Sequence, residues 1–315
     1  MNKRNIILYV LLTLFLTACG GASESGVSSE ASTDLSKKFK WKMVTTWPAN
    51  FPIFQVGAER FADDVRTMSN DRMDIHVYAG GELVPALQVF DAVSNGVVEM
   101  GHGSPYYWAG KVPEAQFFSS VPFGMTAKGM NAWLYNAGGL ELWNEIYKPF
   151  NLIVFPMGNT GVQMGGWFEW VGPFHDTRLG LNRAANYYYY PGWHEPGTVF
   201  ELMINESKWS LLPKDLQKII ETAAAATSEW IYAQMEYNNQ QALTELKKKQ
   251  NIQILEFPEE VLSGFKHLTK ETLDEEAAAN PAFKKVYEEY ERFRAAYAGW
   301  DEFSEESYQN SLRLK

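Results

Sequence analysis

Residues Phe39-Lys40-Trp41-Lys42-Met43-Val44-Thr45-Thr46 alternate large apolar side chains with lysines, a pattern typical of a half-buried β-strand. Apolar residues then recur every three or four positions from Ile53 to Met68, which predicts an amphipathic helix. Arg72 to Tyr78 alternates again, a helix is predicted through Val89 to Val93, and Val97 to His102 reads as a short apolar strand. This succession predicts a parallel sheet with right-handed helical crossovers, and therefore an α/β fold.

The loops that follow these predicted strands are candidate ligand-binding segments. In open parallel sheets, ligands bind beyond the carboxyl ends of the strands. Those ends are Thr45–Trp47, Ala79–Gly81 and Gly103–Trp108, and all three are rich in small or aromatic residues. Each of them taken singly is equally well explained as an ordinary loop.

The rest of the chain continues the mixture of helices and strands. Strand patterns are at Asn151–Pro156, Val162–Phe168, Tyr187–Tyr190, Thr198–Asn205 and Ile252–Phe257, and helical patterns are at Lys128–Tyr147 (two short helices), Pro213 to about Gln250, and after Glu259 and Pro281. At 1.5 Å per residue, the helix after Pro213 would span roughly 55 Å, comparable to a whole two-domain protein.

The stretch from Asn159 to Gly172 brings unusual residues together. A strand-like run that is broken by Gly165-Gly166 leads directly into the pair Glu169-Trp170. Together with Gln163 and Glu195, this pair offers amide, carboxylate and main-chain oxygens, the ligands that Na⁺ or Ca²⁺ prefers. A cation held there could bridge to a substrate carboxylate. On spacing alone, separate surface or capping roles for these residues are favoured over a shared site.

Composition restricts the class of partner. The chain carries 28 basic and 38 acidic residues, a net charge of -10, which argues against nucleic acid and against an anionic membrane surface. An anionic ligand would therefore need a local positive charge or a bound cation. The 11 Trp, 16 Tyr and 19 Phe residues suggest aromatic pocket walls, although core packing explains most aromatic residues in proteins.

The N-terminus predicts export. Lys3 and Arg4 precede an apolar run from Ile6 to Leu16, which is too short to span a bilayer and fits a signal peptide. The sequence Leu16-Thr17-Ala18-Cys19 resembles the lipobox of bacterial lipoproteins, in which the cysteine is lipidated; an ordinary secretory signal with an incidental cysteine is the alternative. Residues 20–38 are rich in Gly, Ser and Ala and predict a flexible tether.

Motifs of covalent chemistry are absent from the sequence. There is no nucleophile motif, metalloprotease signature, dinucleotide-binding glycine fingerprint or phosphate loop. The histidines lack metal-ligand spacing, so structural roles are favoured for His76, His102, His175, His194 and His267.

Several long strings closely resemble the solute receptors of TRAP transporters. They are Gly158–Phe168, Glu169–Pro173, Tyr187–Thr198, Gly81–Pro85 and Pro122–Thr126. The resemblance is to the DctP-type binding proteins, nearest to the branch that binds 2-oxo acids and related monocarboxylates, and it covers nearly everything from Phe39 to the C-terminal helices. It implies an α/β, type II periplasmic-binding-protein-like fold with two lobes and a long spanning helix after Pro213.

The resemblance also implies a ligand set. Gln163 would contact both ligand and metal, Glu169 would bind the metal by its side chain and Trp170 by its carbonyl, and Glu195 would contact metal or ligand. The pocket wall would include Tyr106 and Tyr107. The cation would be Na⁺ or Ca²⁺, the partners a small organic acid and the membrane permease, and C-terminal helices can mediate homodimers in this branch.

The chain departs from the family pattern between Phe168 and Glu169. Family members have a sizeable segment there, including a strand, a helix and the arginine that forms a bidentate salt bridge with the ligand carboxylate. Its loss removes the strong charge-assisted contact that carboxylates favour and leaves a sheet edge uncovered. Arg178 and Arg183 are the nearest basic residues after the junction, but the resemblance does not direct either towards the ligand.

These inferences give one expected organisation. We expect a signal peptide at residues 1–18, the lipid-anchor cysteine and tether at 19–38, a first α/β lobe at 39–158, a reduced second lobe and spanning helix at 159–250, and a returning strand with C-terminal helices at 251–315.

The expected function is a periplasmic, membrane-tethered solute receptor, not an enzyme, whose ligand binding is impaired. A degenerate receptor retained as an interaction protein is one alternative. An exported metal-dependent enzyme that uses Glu169 and His194 as an acid–base pair is a weaker one.

Overall fold

The computed structural model describes residues 36–166, 172–184, 186–249 and 251–314. Its strands are β1 (Phe39–Thr45), β2 (Met73–Tyr78), β3 (Met100–Gly103), β4 (Leu152–Asn159), β5 (Gly165–Gly166), β6 (Tyr187–Tyr190), β7 (Val199–Asn205) and β8 (Gln253–Glu256). Its α-helices are α1 (Phe54–Met68), α2 (Val89–Ser94), α3 (Ala127–Asn136), α4 (Gly139–Tyr147), α5 (Pro173–Leu179), α6 (Glu206–Trp209), α7 (Lys214–Lys247), α8 (Glu259–Ala279), α9 (Pro281–Asp301) and α10 (Ser307–Ser311). Short 3₁₀ turns at Pro105–Trp108 and Pro113–Phe118 follow β3.

The larger sheet has the strand order β2-β1-β3-β7-β4. Strand β1 is parallel to both β2 and β3, which confirms the predicted parallel arrangement of the first three strands. Strand β7 is antiparallel to its neighbours β3 and β4. The later chain therefore returns across the expected boundary at residue 158 to complete this sheet.

The smaller sheet has the order β5-β6-β8, with β5 antiparallel and β8 parallel to β6. The strand expected over Val162–Phe168 is much shorter in the described residues, because only Gly165 and Gly166 pair with β6. Two sheets with flanking helices agree with the predicted α/β, two-lobed binding-protein fold, in which the second lobe is small.

The long helix α7 packs against elements from different parts of the chain. Its 34 residues correspond to roughly 50 Å at 1.5 Å per residue, which confirms the helix predicted after Pro213. One face packs on β4, α1 and α5. This face buries Leu216, Ile220, Ala223 and Ala224 in a cluster that includes Met157 of β4 and Leu202 of β7, and the small alanine side chains let helix and sheet approach closely.

The C-terminal helices pack unequally. Helix α9 buries Phe283, Val286 and Tyr290 in the core of the larger sheet, and the Tyr290 hydroxyl accepts a hydrogen bond from the Met125 backbone N–H at 2.6 Å. Helix α8, which packs on α9, buries no residue fully.

The N-terminal predictions, including the signal peptide, Cys19 and most of the tether, lie outside the described residues. No helix within the described ranges has both the length and the apolar character needed to cross a bilayer.

Candidate functional site

A cavity of about 380 Å³ lies beyond the carboxyl ends of β1 and β3. Its lining residues are Thr46, Trp47, Pro48, Phe51, Phe54, Tyr106, Tyr107, Thr160, Gln163, Glu195 and Phe200. Two of the three loops predicted to meet a ligand contribute to it, the one after β1 and the one after β3. The Ala79–Gly81 turn after β2 is not among the lining residues. The structure thus brings Tyr106, Tyr107, Gln163 and Glu195 into one cavity.

One side of the cavity is a continuous group of aromatic rings. The ring centroid of Trp47 lies 5.0 Å from that of Phe54 and 4.8 Å from that of Phe200. The centroids of Tyr106 and Tyr107 are 4.9 Å apart, and that of Tyr107 is 6.3 Å from Trp47. These tilted and edge-to-face spacings are favourable for aromatic pairs. The rings therefore form a wall whose members hold one another in place.

Buried His102 fixes Trp47 within this wall. The indole Nε1–H of Trp47 donates to His102 Nδ1 at 2.8 Å, so the other ring nitrogen, Nε2, carries the proton that is donated to the Met157 carbonyl at 3.1 Å. Burial lowers the pKa of His102 to about 4. A neutral imidazole with one defined tautomer thus orients the tryptophan, which gives His102 a structural role.

The lining also includes an ordered set of polar side chains, Thr160, Gln163 and Glu195. Gln163 Nε2 donates to Thr160 Oγ1 at 3.3 Å and to Thr198 Oγ1 at 3.2 Å. The Thr160 hydroxyl donates to the Gly161 carbonyl at 2.8 Å, and that of Thr198 donates to Glu195 Oε2 at 2.9 Å. Because each hydroxyl already donates its single proton, it can only accept a hydrogen bond from Gln163. The network therefore fixes the amide orientation and leaves Gln163 Oε1 as the acceptor for a ligand.

Backbone contacts hold the two oxygen-bearing segments side by side. The Thr160 N–H donates to the Thr198 carbonyl and the Gln163 N–H donates to the Glu195 carbonyl, both at 3.1 Å. Gly192 is needed nearby, because a Cβ at that position would collide with the Gln163 carbonyl. The crossing of the chain between the two sheets thus places Gln163 next to Glu195.

The donor chemistry fits a hard cation. Gln163 Oε1 and the Glu195 carboxylate are the oxygen ligands that Na⁺ or Ca²⁺ takes, but Ca²⁺ requires six to eight of them. Within the described ranges, no group of three or more His, Cys, Asp or Glu side chains could hold a metal ion. The other predicted ligands, Glu169 and Trp170, lie outside the described residues. The described residues therefore supply one part of the predicted ligand set.

Sequence reasoning missed several lining residues. Thr160 and Thr198 lie within strings that resemble the receptor family, and a search for hydroxyls beside the predicted amide ligand would have found them. The sequence did not single out Phe200, because every residue of β7 is buried and the strand does not alternate between buried and exposed positions.

Neither arginine after the junction enters the cavity. Arg178 lies at the end of α5, with its guanidinium 5.4 Å from the ring centroid of Phe174. Arg183 lies in the 3₁₀ turn Leu181–Arg183. Neither is among the lining residues, and among those residues there is no Lys, Arg or His.

An α/β fold of two sheets, with a cavity beyond the carboxyl ends of parallel strands, is typical of a solute-binding protein, and comparison with known sequences identifies the family. The sequence profile of the DctP family, bacterial extracellular solute-binding protein family 7, matches residues 43–168 and 168–280. The chain belongs to this family.

Individual relatives agree with this assignment. A monocarboxylate 2-oxoacid-binding periplasmic protein of Nostoc sp. is 35% identical over 362 residues, covering 98% of each chain. A TRAP periplasmic solute-binding protein of Colwellia psychrerythraea, solved with calcium and pyruvate, is 34% identical with a TM-score of 0.85, covering 87% of this chain and all of its own. One of Pseudoalteromonas atlantica with sodium and pyruvate is 33% identical with a TM-score of 0.84, covering 87% and 99%.

The comparisons also locate a difference in length. The profile match divides into two segments that meet at residue 168. The alignment with the Nostoc protein, at 362 residues, is longer than this chain of 315. The relative therefore has residues without a counterpart here, and the division of the profile match falls at the predicted junction of Phe168 and Glu169.

Proposed function

We propose that this chain is an extracytoplasmic receptor that binds a small monocarboxylate, such as a 2-oxo acid, through a bound Na⁺ or Ca²⁺ and delivers it to a TRAP permease. The observation that carries the proposal is the hydrogen-bond array Gln163–Thr198–Glu195, whose Gln163 and Glu195 line the same cavity as the aromatic rings. Relatives that are about one-third identical were solved with pyruvate beside calcium or sodium.

Each predicted site residue has a role in this proposal. Gln163 Oε1 contacts both the cation and the acid, and the Glu195 carboxylate neutralises the cation. Glu169, by its side chain, and Trp170, by its carbonyl, complete the coordination. The rings of Tyr106 and Tyr107 exclude water from the acid, which strengthens the charge interactions in the cavity. The receptor binds and releases its ligand without covalent chemistry.

The lack of a basic side chain among the lining residues weakens binding of the acid. A bidentate arginine recognises a carboxylate by two parallel charge-assisted hydrogen bonds. Here the cation alone offsets the charge of the acid, so we expect an affinity for pyruvate weaker than micromolar and dependent on the cation.

Calorimetry tests this proposal. Pyruvate and 2-oxobutyrate are titrated with and without Na⁺ or Ca²⁺ into the wild type, Thr198→Val and Thr198→Ser. We expect heat only with a cation, loss of that heat in Thr198→Val, and retention in Thr198→Ser, which keeps the hydroxyl. Binding that is equally strong without any cation contradicts the bridging role, and micromolar binding contradicts the impairment.

The degenerate-receptor alternative predicts a different result from the same titrations. The half-exposed smaller sheet is the observation that favours it, since β8 buries none of its residues. A monodisperse, folded protein that binds no acid under any cation condition would support a retained interaction role. The enzyme alternative has no such support: Glu169 lies outside the described residues, and His194 is not among the lining residues.

The C-terminal end supports a homodimer. Its exposed apolar residues are Trp300, Phe303, Tyr308, Leu312 and Leu314. Their concentration within residues 300–314 favours an interaction surface, and a 29% identical TRAP solute-binding protein of Bordetella bronchiseptica was solved as a dimer. Sedimentation velocity should show a dimer that dissociates in the double variant Trp300→Glu/Phe303→Glu; a monomeric wild type contradicts the proposal.

Attachment to the membrane through Cys19 completes the proposed arrangement. The lipobox-like Leu16–Cys19 string supports it. The exported wild type should partition into detergent, whereas Cys19→Ser should be released into the aqueous phase. Equal partitioning of both would exclude the anchor.

A further inference from the structure

The segment that connects β1 to α1 supplies part of the cavity lining, namely Trp47, Pro48, Phe51 and Phe54. Its backbone is strained, because Asn50 and Ile53 have positive φ angles of 58° and 68°. A positive φ is tolerated by asparagine but is costly for a β-branched residue such as isoleucine. The local preferences of the chain therefore do not hold this segment in place, and contacts with other parts of the protein are needed.

His175 of helix α5 makes such contacts. Its ring nitrogen Nε2 and the Pro52 carbonyl oxygen are 2.9 Å apart, and because a carbonyl can only accept, Nε2 donates the hydrogen bond. The imidazole stacks on the Phe51 ring at a centroid distance of 5.0 Å and lies 4.5 Å from the Phe54 ring. Both phenylalanines line the cavity, whereas His175 does not. One side chain outside the cavity thus contacts the backbone of the segment and two of its rings.

The protonation of His175 suits this contact at neutral pH. The side chain is fully buried, and burial lowers its pKa to about 4. The neutral ring carries its proton on Nε2, and Nδ1 has no hydrogen-bond partner among the described residues. A buried polar atom without a partner costs stability, a cost that an apolar side chain of similar size would avoid. Packing alone therefore does not account for a histidine at this position.

Helix α5 gives His175 a fixed base. The Phe174 backbone N–H donates to Asn239 Oδ1 of α7 at 3.0 Å. The Asp176 carboxylate accepts a hydrogen bond from the Tyr188 hydroxyl of the smaller sheet. Three consecutive residues of one short helix thus contact the long helix, the segment after β1 and the smaller sheet.

We propose that His175 is a positioning residue for ligand binding, which holds residues 51–54 in the conformation that places the Phe51 and Phe54 rings in the cavity. The identity of the ligand rests on the proposed carboxylate receptor. His175 adds to that receptor a residue on which the site depends without contact to the ligand. When His175 is lost, the positive-φ backbone relaxes and the two rings leave their positions. Water then enters the cavity and weakens the charge interactions between the cation and the acid.

Amide hydrogen exchange of the ligand-free protein tests the contact directly. The Phe51 and Phe54 N–H groups donate to the Pro48 and Pro52 carbonyls, so their exchange reports on the segment. His175→Ala removes both the ring and the donor, and we expect at least about tenfold faster exchange at these two amides. His175→Gln, whose amide can donate in place of Nε2, should recover part of the protection. Unchanged exchange in His175→Ala, or equally fast exchange in both variants, would overturn the proposal.

Two control variants separate this local effect from a general loss of stability. Leu179→Ala changes an exposed residue of the same helix and should leave exchange at Phe51 and Phe54 within about twofold of the wild type. Val286→Ala removes buried methyl groups from α9 and destabilises the core without changing this segment. Exchange at the two amides that is as fast in Val286→Ala as in His175→Ala would show a general loss of stability and would overturn the positioning role.

Calorimetry with pyruvate and Ca²⁺ tests the consequence for binding. We expect the dissociation constant to rise at least about tenfold in His175→Ala, to recover in part in His175→Gln, and to be unchanged in Leu179→Ala. Faster exchange without weaker binding in His175→Ala would overturn the role in ligand binding. A wild type that binds no pyruvate under any cation condition would contradict the carboxylate receptor instead, and exchange in the ligand-free protein would still decide whether His175 holds the segment.

Discussion

The two sheets of this molecule differ in how completely they are covered. In the larger sheet, every residue of β7 is buried, with aromatic and aliphatic clusters on both faces. In the smaller sheet, where burial is described for β6 and β8, Tyr188 is the one buried residue of β6, and β8 has none. The profile match divides at residue 168, beside the two-residue strand β5 of that smaller sheet. The comparison indicates that the larger sheet carries most of the buried core and that the division of the profile match falls beside the smaller sheet.

The regions near the two sheets also contribute different parts of the cavity lining. Its aromatic wall is built largely by segments at the edge of the larger sheet, including Trp47, Tyr107 and Phe200. Its oxygen side is built where the chain crosses to the smaller sheet, at Gln163 and Glu195. Loss of chain next to β5 therefore affects recognition of charge more than the apolar wall.

The largest effect should come from the core of the larger sheet. Trp143 is fully buried and stacks on Phe118 at a centroid distance of 5.2 Å. Replacement by alanine should lower the free energy of unfolding by about 3–5 kcal/mol, because it removes apolar contacts and leaves a cavity. Urea unfolding measures this. Tyr237→Ala, at an exposed aromatic residue of α7, should stay within about 0.5 kcal/mol; equal losses would mean that the two positions do not differ in packing.

The next effect should follow from restoring the second lobe. Insertion between Phe168 and Glu169 of the residues that the 35% identical Nostoc protein has without a counterpart here should raise the affinity for pyruvate with Ca²⁺ at least about 30-fold, or about 2 kcal/mol. The reason is that the family resemblance implies, within such a segment, an arginine that pairs with the ligand carboxylate. Calorimetry measures it, and an insert lacking its basic residues is the control. No gain in a folded chimera would disprove a deficit caused by the missing segment.

A smaller loss is expected within the smaller sheet. Tyr188, its buried residue, donates its hydroxyl to Asp176 of α5. Tyr188→Phe should cost about 1–3 kcal/mol, since the buried carboxylate loses this donor. Thermal unfolding compares it with Tyr190→Phe on the same strand, where the side chain is exposed and the change should be within about 0.5 kcal/mol. Similar small changes in both would show that this sheet is loosely packed throughout.

The last effect, whose size is stated per pH unit, is a dependence of stability on pH in the larger sheet. Glu201 on β7 accepts a hydrogen bond from Trp108, and burial raises its pKa from 4.5 to about 8. Because the folded protein keeps a proton that the unfolded chain releases, stability from this group falls as pH rises from about 4.5 to about 8 and is constant above. The slope is at most about 1.4 kcal/mol per pH unit.

Glu201→Gln provides the measurement. Glutamine does not titrate, so the melting temperature of the wild type should fall relative to the variant between pH 5 and pH 8. His102 has the opposite sign, since its lowered pKa costs stability as pH falls from 6.5 to about 4, but it is present in both proteins and cancels in the difference. A difference that is constant with pH would contradict the raised pKa of Glu201.

Local patterns predicted much of the architecture. The alternation of Phe39–Thr46 and the helical periodicity of Ile53–Met68 correspond to β1 and α1 within a few residues. The strand predicted at Val97–His102 begins later, at Met100, because the residues before it form a turn. The periodicity of apolar residues indicates which face of a helix or strand is buried, but it indicates only weakly where the helix or strand begins and ends.

The sequence by itself determined the α/β class, the receptor family and the candidate residues Tyr106, Tyr107, Gln163 and Glu195, because strand and helix periods and unusual strings are local properties of a chain. Only the tertiary structure decided that β7 completes the first sheet. It also decided that Thr160 and Thr198 orient Gln163, and that Arg178 stays outside the cavity. Those facts depend on contacts between residues far apart in the chain, which spacing along the sequence does not encode.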